Sequence, residues 1–120
     1  MKESVKMKKG KVIGMVEMVK SNQSFFLKYL GDNPKMRILD FLIDNFAHDF
    51  SLPQIAEGGE VAYTTLIDIL PELLKQEILI ETRKIGKSRL YKINLDNPIA
   101  KALFVIDMKL SEAAIEKVMA

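Results

Sequence analysis

The chain has 120 residues, 48% apolar and 28% charged, with a net charge of +2 and neither Cys nor Trp. That length fits one domain with a single core, and the lack of Cys excludes disulfide scaffolds, thiolate metal sites and thiol catalysis. The longest uncharged apolar stretches, such as Ala102 to Ile106, fall far short of the roughly 20 residues that cross a bilayer. The basic and then apolar beginning superficially suggests a secretory leader, but Glu17 interrupts the apolar run and no small-residue cleavage site follows. A cytoplasmic setting is expected.

Residues 1–20 hold Lys2, Lys6, Lys8, Lys9, Lys11 and Lys20 against Glu3 and Glu17, a basic arm or extra element; the remainder of the chain carries more acids than bases. Val12, Met15, Val16 and Val19 fit a helix face, while Val12, Val16 and Met18 fit one side of a strand. From Ser24, the run Phe25, Phe26, Leu27 and Leu30 has helical spacing and stops at Gly31. Asn33 is an N-cap and Pro34 suits the first helical position, opening a helix with Ile38, Leu39, Leu42, Ile43 and Phe46 on one face that ends near residues 45–47. Ser51 and Gln54 have the spacing of a capping box, with Pro53 in the first turn. A short helix over 52–57 is expected, stopped by Gly58-Gly59.

A third helix is expected from about Glu60, burying Val61, Leu66, Leu70, Leu73 and Leu74 and bent by Pro71. Residues 78–82 are β-branched and apolar, and Tyr91, Ile93 and Leu95 alternate with Lys92 and Asn94. With Ile85-Gly86-Lys87-Ser88 as turn chemistry between them, these two runs form a hairpin. Arg83, Lys84, Lys87, Arg89 and Lys92 put five positive charges into ten residues without an acid. Asn97-Pro98 repeats the N-cap and proline device and opens a terminal helix through about Leu110, with Ser111 and Glu112 either capping a further turn or continuing it.

The order is therefore mainly α with a small β-hairpin: a three-helix core, a hairpin with a basic tip, and additional N- and C-terminal helices. From about Lys35 to Leu103 this sequence resembles the winged helix-turn-helix domain of ArsR/MarR-like transcription regulators, especially the small archaeal ones. The residues that carry the resemblance are Leu52-Pro53-Gln54-Ile55-Ala56, Val61-Ala62-Tyr63-Thr64-Thr65-Leu66, the passage from Leu70, Leu73 and Leu74 into Ile78-Leu79-Ile80-Glu81, and the basic wing returning through Leu90-Tyr91-Lys92-Ile93-Asn94. It implies a winged-helix DNA-binding domain over 21–96 and a C-terminal dimerisation helix over 97–120.

What the resemblance implies for function is binding to double-stranded DNA as a homodimeric transcriptional regulator, a repressor by expectation. Ala62, Tyr63, Thr64, Thr65 and Asp68 would face the major groove, and Arg83, Lys84, Lys87, Ser88 and Arg89 the phosphates or the adjacent minor groove. The basic arm 2–11 would bind further phosphates or merely solubilise the terminus. The predicted recognition helix departs from the pattern, because it lacks the Arg, Lys, Gln or Asn that make bidentate base contacts. Ile67 and Ile69 would leave apolar surface exposed unless Pro71 shifts the helix and buries one of them, and the alternative reading is a winged helix that serves as a protein-interaction module in a transcription or replication assembly. The terminal helix is apolar on every side at Ala102-Leu103-Phe104-Val105-Ile106, which points to burial between two copies through Ile99, Ala102, Leu103, Phe104, Ile106 and Leu110.

An enzyme is not expected. His48 is the only histidine and sits in a predicted loop, Asp40 and Asp44 read as solvated carboxylates on one helix face, and Gly58-Gly59 lacks the Lys and Ser/Thr of a phosphate-binding loop. No cofactor, metal or membrane partner is expected, and the sequence names no effector; the metal sensing known in part of the ArsR group does not carry over to a chain with one His and no Cys.

Overall fold

The computed structural model describes residues 24–119. It consists of α1 (Phe25–Leu30), α2 (Pro34–Asp44), α3 (Leu52–Gly59), α4 (Tyr63–Lys75), β1 (Leu79–Ile85), β2 (Ser88–Ile93) and α5 (Pro98–Met119), which is the expected mainly helical order with an antiparallel hairpin as wing. The expectations for residues 1–20 lie outside the described residues.

Local chemistry sets most helix starts. The Ser24 hydroxyl accepts from the Leu27 N–H at 3.0 Å, and the Asn33 side-chain carbonyl oxygen from the Met36 N–H at 2.9 Å, with Pro34 following at the first helical position. Ser51 and Gln54 form the full capping box. The Asn97 side-chain oxygen accepts from the Ile99 and Ala100 N–H groups, while its amide donates to the Gln76 carbonyl, so one side chain starts α5 and finishes α4. Each such cap contributes about 1 kcal/mol.

The core fills the space between α2, α3, α4, the hairpin base and α5 with Ile38, Leu39, Leu42, Ile43, Ile55, Leu66, Leu73, Leu79, Ile93 and Ala100, and Phe26 of α1 closes one end. Three expectations need correction. Gly58-Gly59 does not stop α3, which runs through both residues and ends at Glu60 in the left-handed region (φ 57°). The glycines serve packing instead: a Cβ on Gly58 would lie 2.2 Å from the Phe41 ring, and one on Gly59 would lie 3.3 Å from the Ile38 Cα. The next helix starts at Tyr63 and not Glu60, since the Glu60 turn must first reverse the chain. Phe46 falls beyond the end of α2 and is 43% exposed, packed edge-on against Phe104 at 5.1 Å between ring centroids. Of the two alternatives at Ser111 and Glu112, the helix continues, running to Met119.

The hairpin pairs Leu79 with Ile93 and closes Ile85 against Ser88 around Gly86, whose φ of 60° suits the turn. A register shift between Glu81 and Arg83 leaves Thr82 as an extra residue. The wing is joined to the helices by a one-residue bridge: Phe50 and Tyr91 exchange two N–H···O bonds of 2.8 Å. Phe50 also stacks on Phe41 at 4.9 Å, carrying the wing base onto α2.

Gly58→Ala is expected to force the Phe41 ring aside and destabilise the fold by about 1–3 kcal/mol. Thermal unfolding followed by circular dichroism would show it as a lowered Tm, and an unchanged Tm would refute the close α2–α3 approach.

Candidate nucleic-acid interface

α4 presents one buried and one open face. Leu66, Leu70 and Leu73 point into the core, Thr65, Ile69 and Leu74 are half-buried, and Tyr63, Thr64, Ile67, Asp68 and Glu72 are exposed. Of the two isoleucines flanking Asp68, Ile69 packs against the core and Ile67 stays 38% exposed. Pro71 sits inside α4 without ending it; lacking an N–H, it leaves the Ile67 carbonyl without its helical donor. Ala62 is the N-cap but offers no side-chain acceptor, so the first N–H groups of α4 lack the cap that Ser24, Asn33, Ser51 and Asn97 provide elsewhere.

The turn leading into α4 is held from α2. The Arg37 guanidinium makes two bonds to the Asp32 carboxylate, at 2.6 and 3.2 Å, and a third of 3.1 Å to the Glu60 carbonyl. The Asp32 hydrogen bond raises the Arg37 pKa further above its ordinary value. An open cleft lined by Arg37, Asn33, Val61, Ala62 and Thr65 lies beside this turn.

The wing projects into solvent, with every residue from Ile80 to Arg89 exposed. The register sets Lys84 directly opposite Arg89, with Lys87 in the turn. Like charges directly opposite one another destabilise a hairpin. The tertiary structure also brings acids to cations that are free of them in sequence. Arg83 donates to Asp49 from Nε at 2.9 Å and from Nη2 at 3.2 Å, and Thr82 donates its hydroxyl to the same carboxylate. Arg89 Nη1 lies 3.3 Å from Glu81. Among the described residues, Lys84 and Lys87 have no acidic partner. The expected phosphate contacts thus divide in two: Arg83 and Arg89 are engaged within the domain, and Lys84 and Lys87 are open. Ser88 is exposed beside them.

Asp49 is a member of this cluster that the sequence pattern does not single out. Its signal there is weak, an acid one position before the bridging Phe50. The bonds from Arg83 and then Thr82 lower its pKa from 3.8 to about 2.

A second acidic group forms away from the wing. Carboxylate oxygens of Asp40, Asp44 and Asp107 lie within 4.8 Å of one another, with Asp44 exposed, Asp107 half-buried and the Asp40 carboxylate buried, so the expectation of two solvated carboxylates is corrected for Asp40, which the arrival of α5 covers. His48 is exposed, with its ring 6.4 Å from that of Phe50.

On α5, Ala100, Leu103 and Phe104 turn toward the chain's own core, while Ile99, Ala102, Val105 and Ile106 are exposed and Leu110 is half-buried. No described helix is long and apolar enough to cross a membrane.

No protein-family model matches the sequence, and no characterised protein matches it by sequence. Solved structures do match in fold. NadR, solved in complex with 4-hydroxyphenylacetate, superposes with a TM-score of 0.60 at 14% identity, covering 100% of this chain and 87% of that one. The AntR antimony-specific transcriptional repressor superposes with a TM-score of 0.54 at 18% identity, covering 92% and 93%. The chain has the winged helix-turn-helix fold. At such identities the likeness concerns fold, and the roles of individual residues rest on the geometry above.

The Asp49–Arg83 pair has a defined pH signature. A depressed carboxyl pKa contributes stability above the unfolded value near 3.8 and loses it as pH falls toward about 2. In a carboxyl NMR titration, Arg83→Ala is expected to return the Asp49 midpoint toward 3.8. A midpoint unmoved by the substitution would mean that the pair does not form in solution.

Proposed function

We propose that this protein is a DNA-binding transcriptional regulator acting as a homodimer, with α4 in the major groove and the wing on the backbone or in the adjacent minor groove. The observation that carries the reading is the wing itself: an exposed hairpin that sets Lys84 against Arg89, with Lys87 at the turn and, among the described residues, no acid paired with either lysine. Exposed lysines without an acidic partner are available to a polyanion, and counterion release then drives association. Tyr63, Thr64 and Thr65, with the uncapped first turn of α4, offer hydroxyl and N–H donors to phosphate oxygens, and Ala62 and Asp68 flank them.

Dimerisation is supported by α5. Ile99, Ala102 and Ile106 recur every three or four residues on a face that the domain leaves open, with Ile99 53% and Ile106 36% exposed. A second copy related by a two-fold axis would cover this face, with Leu103, Phe104 and Leu110 supporting it from the half-buried side. Two recognition helices so related read half-sites about one DNA turn apart, roughly 34 Å. A repressor role fits the similarity to AntR, described as a repressor. The ligands named for AntR and NadR are not carried over, and thiolate ligands for a soft metal are lacking in a chain without Cys. The alternative, a protein-interaction module using Ile67, Asp68 and the terminal helix as contact surfaces, predicts no salt-dependent binding of duplex DNA.

Fluorescence anisotropy of a labelled duplex against salt tests the wing. Binding is expected to weaken steeply with salt, and the double substitution of Lys84→Ala with Lys87→Ala to lower the log-log slope by about 0.9 for each phosphate that is no longer neutralised. No binding at low salt by the folded protein would overturn the DNA reading. Ile106→Asp is expected to convert dimer to monomer in sedimentation velocity while leaving helix content unchanged; a native chain that sediments as a monomer at high concentration would refute the α5 interface.

A further inference from the structure

The open face of α4 has a chemistry distinct from that of the wing. Thr64, Ile67 and Asp68 are exposed three and four positions apart, which places them on one face of the helix. Between Tyr63 and Leu74 there is no Arg, Lys, His, Asn or Gln. Glu72, one turn beyond Asp68, is 3.5 Å from Lys35 Nζ. Among the described residues, the Asp68 carboxylate has no hydrogen-bond or ion-pair partner. The face is thus an uncompensated acceptor beside an exposed branched aliphatic side chain.

Resting on the reading of α4 as the major-groove helix, we propose that this face selects a cytosine through its 4-amino group and a neighbouring thymine through its 5-methyl group, Asp68 reading the first and Ile67 with the Thr64 methyl reading the second. The major-groove edge of guanine carries two acceptors, N7 and O6, which repel a carboxylate. Adenine pairs its amino donor with the acceptor N7, whereas cytosine offers the amino donor without that acceptor on the same base. The thymine methyl is the apolar group of the major groove, and packing it on Ile67 removes water from both. Asp68 adds no affinity for a polyanion; it penalises every base pair that fails to donate to it, and so separates sequences while the wing lysines hold the backbone.

The test begins with selection of sites from a randomised duplex pool by the full chain, followed by anisotropy on the selected duplex with single thymines replaced by deoxyuridine. The enriched site is expected to contain a cytosine adjacent to a thymine. Removing the methyl that Ile67 reads should weaken binding about four-fold, the equivalent of ~0.8 kcal/mol for one buried carbon, and the effect should vanish in an I67A variant. Asp68→Asn should move the preferred base from cytosine to adenine, since an amide both accepts from N6 and donates to N7. Guanine enriched at that position, indifference to every deoxyuridine, or an unaltered preference in D68N would each overturn the proposal. Salt-dependent binding without any base preference would overturn it alone, whereas no duplex binding at all would remove the DNA reading and this proposal together.

Discussion

The exchange of two backbone hydrogen bonds between Phe50 and Tyr91 is the constraint on which the arrangement of this domain depends. A two-stranded hairpin is marginal in water by itself. Here β2 gains a second partner from the loop that precedes α3, and the Phe50 ring packs on Phe41 of α2. The bridge also places the neighbouring Asp49 at the extra residue of β1, where its carboxylate gathers the Thr82 hydroxyl and the Arg83 guanidinium. Wing and helix-turn-helix are therefore joined by backbone, aromatic and charged contacts within a few residues, so the basic tip is held relative to the helices.

The same junction divides the positive charge of the wing between two tasks. Arg83 is bound bidentately to a carboxylate, with further N–H groups left over, whereas Lys84 and Lys87 remain open. A guanidinium suits the first role because its planar fork matches a carboxylate, and an ammonium on a flexible stem suits the second. Under the proposed reading, the same division makes a face of α4 bearing Asp68 and Glu72 compatible with a polyanionic partner: attraction would come from the wing and discrimination from the helix.

Close approach of α2 and α3 shapes the other side of the helix-turn-helix. Gly58 accommodates the Phe41 ring, Gly59 accommodates the α2 backbone, and Arg37 on α2 reaches over to the Glu60 carbonyl in the turn. The turn that leads into α4 is thereby held from α2 and α3. At the far end, Asn97 joins the finish of α4 to the start of α5, which relates the proposed dimer helix to the recognition helix through one side chain.

The sequence by itself determined the element order and most boundaries, because the signals involved act within three or four residues. Ser24 before Phe25, Asn33 before Pro34, Ser51 with Gln54, Asn97 before Pro98 and Gly86 in the turn each satisfy or shape backbone that lies beside them. The basic cluster and the polar residues of α4 were legible for the same reason. Tertiary structure alone decided which of these residues are open. Asp49 and Arg83 stand 34 positions apart, Asp107 joins Asp40 and Asp44 from another helix, and a glycine that makes room for Phe41 has the same local signature as a helix stop. Ile67 and Ile69 are chemically identical in the sequence, and only the rotation of α4 on the core leaves one exposed and covers the other. Packing between distant segments depends on the summed shape of the whole core, which no short window of sequence contains.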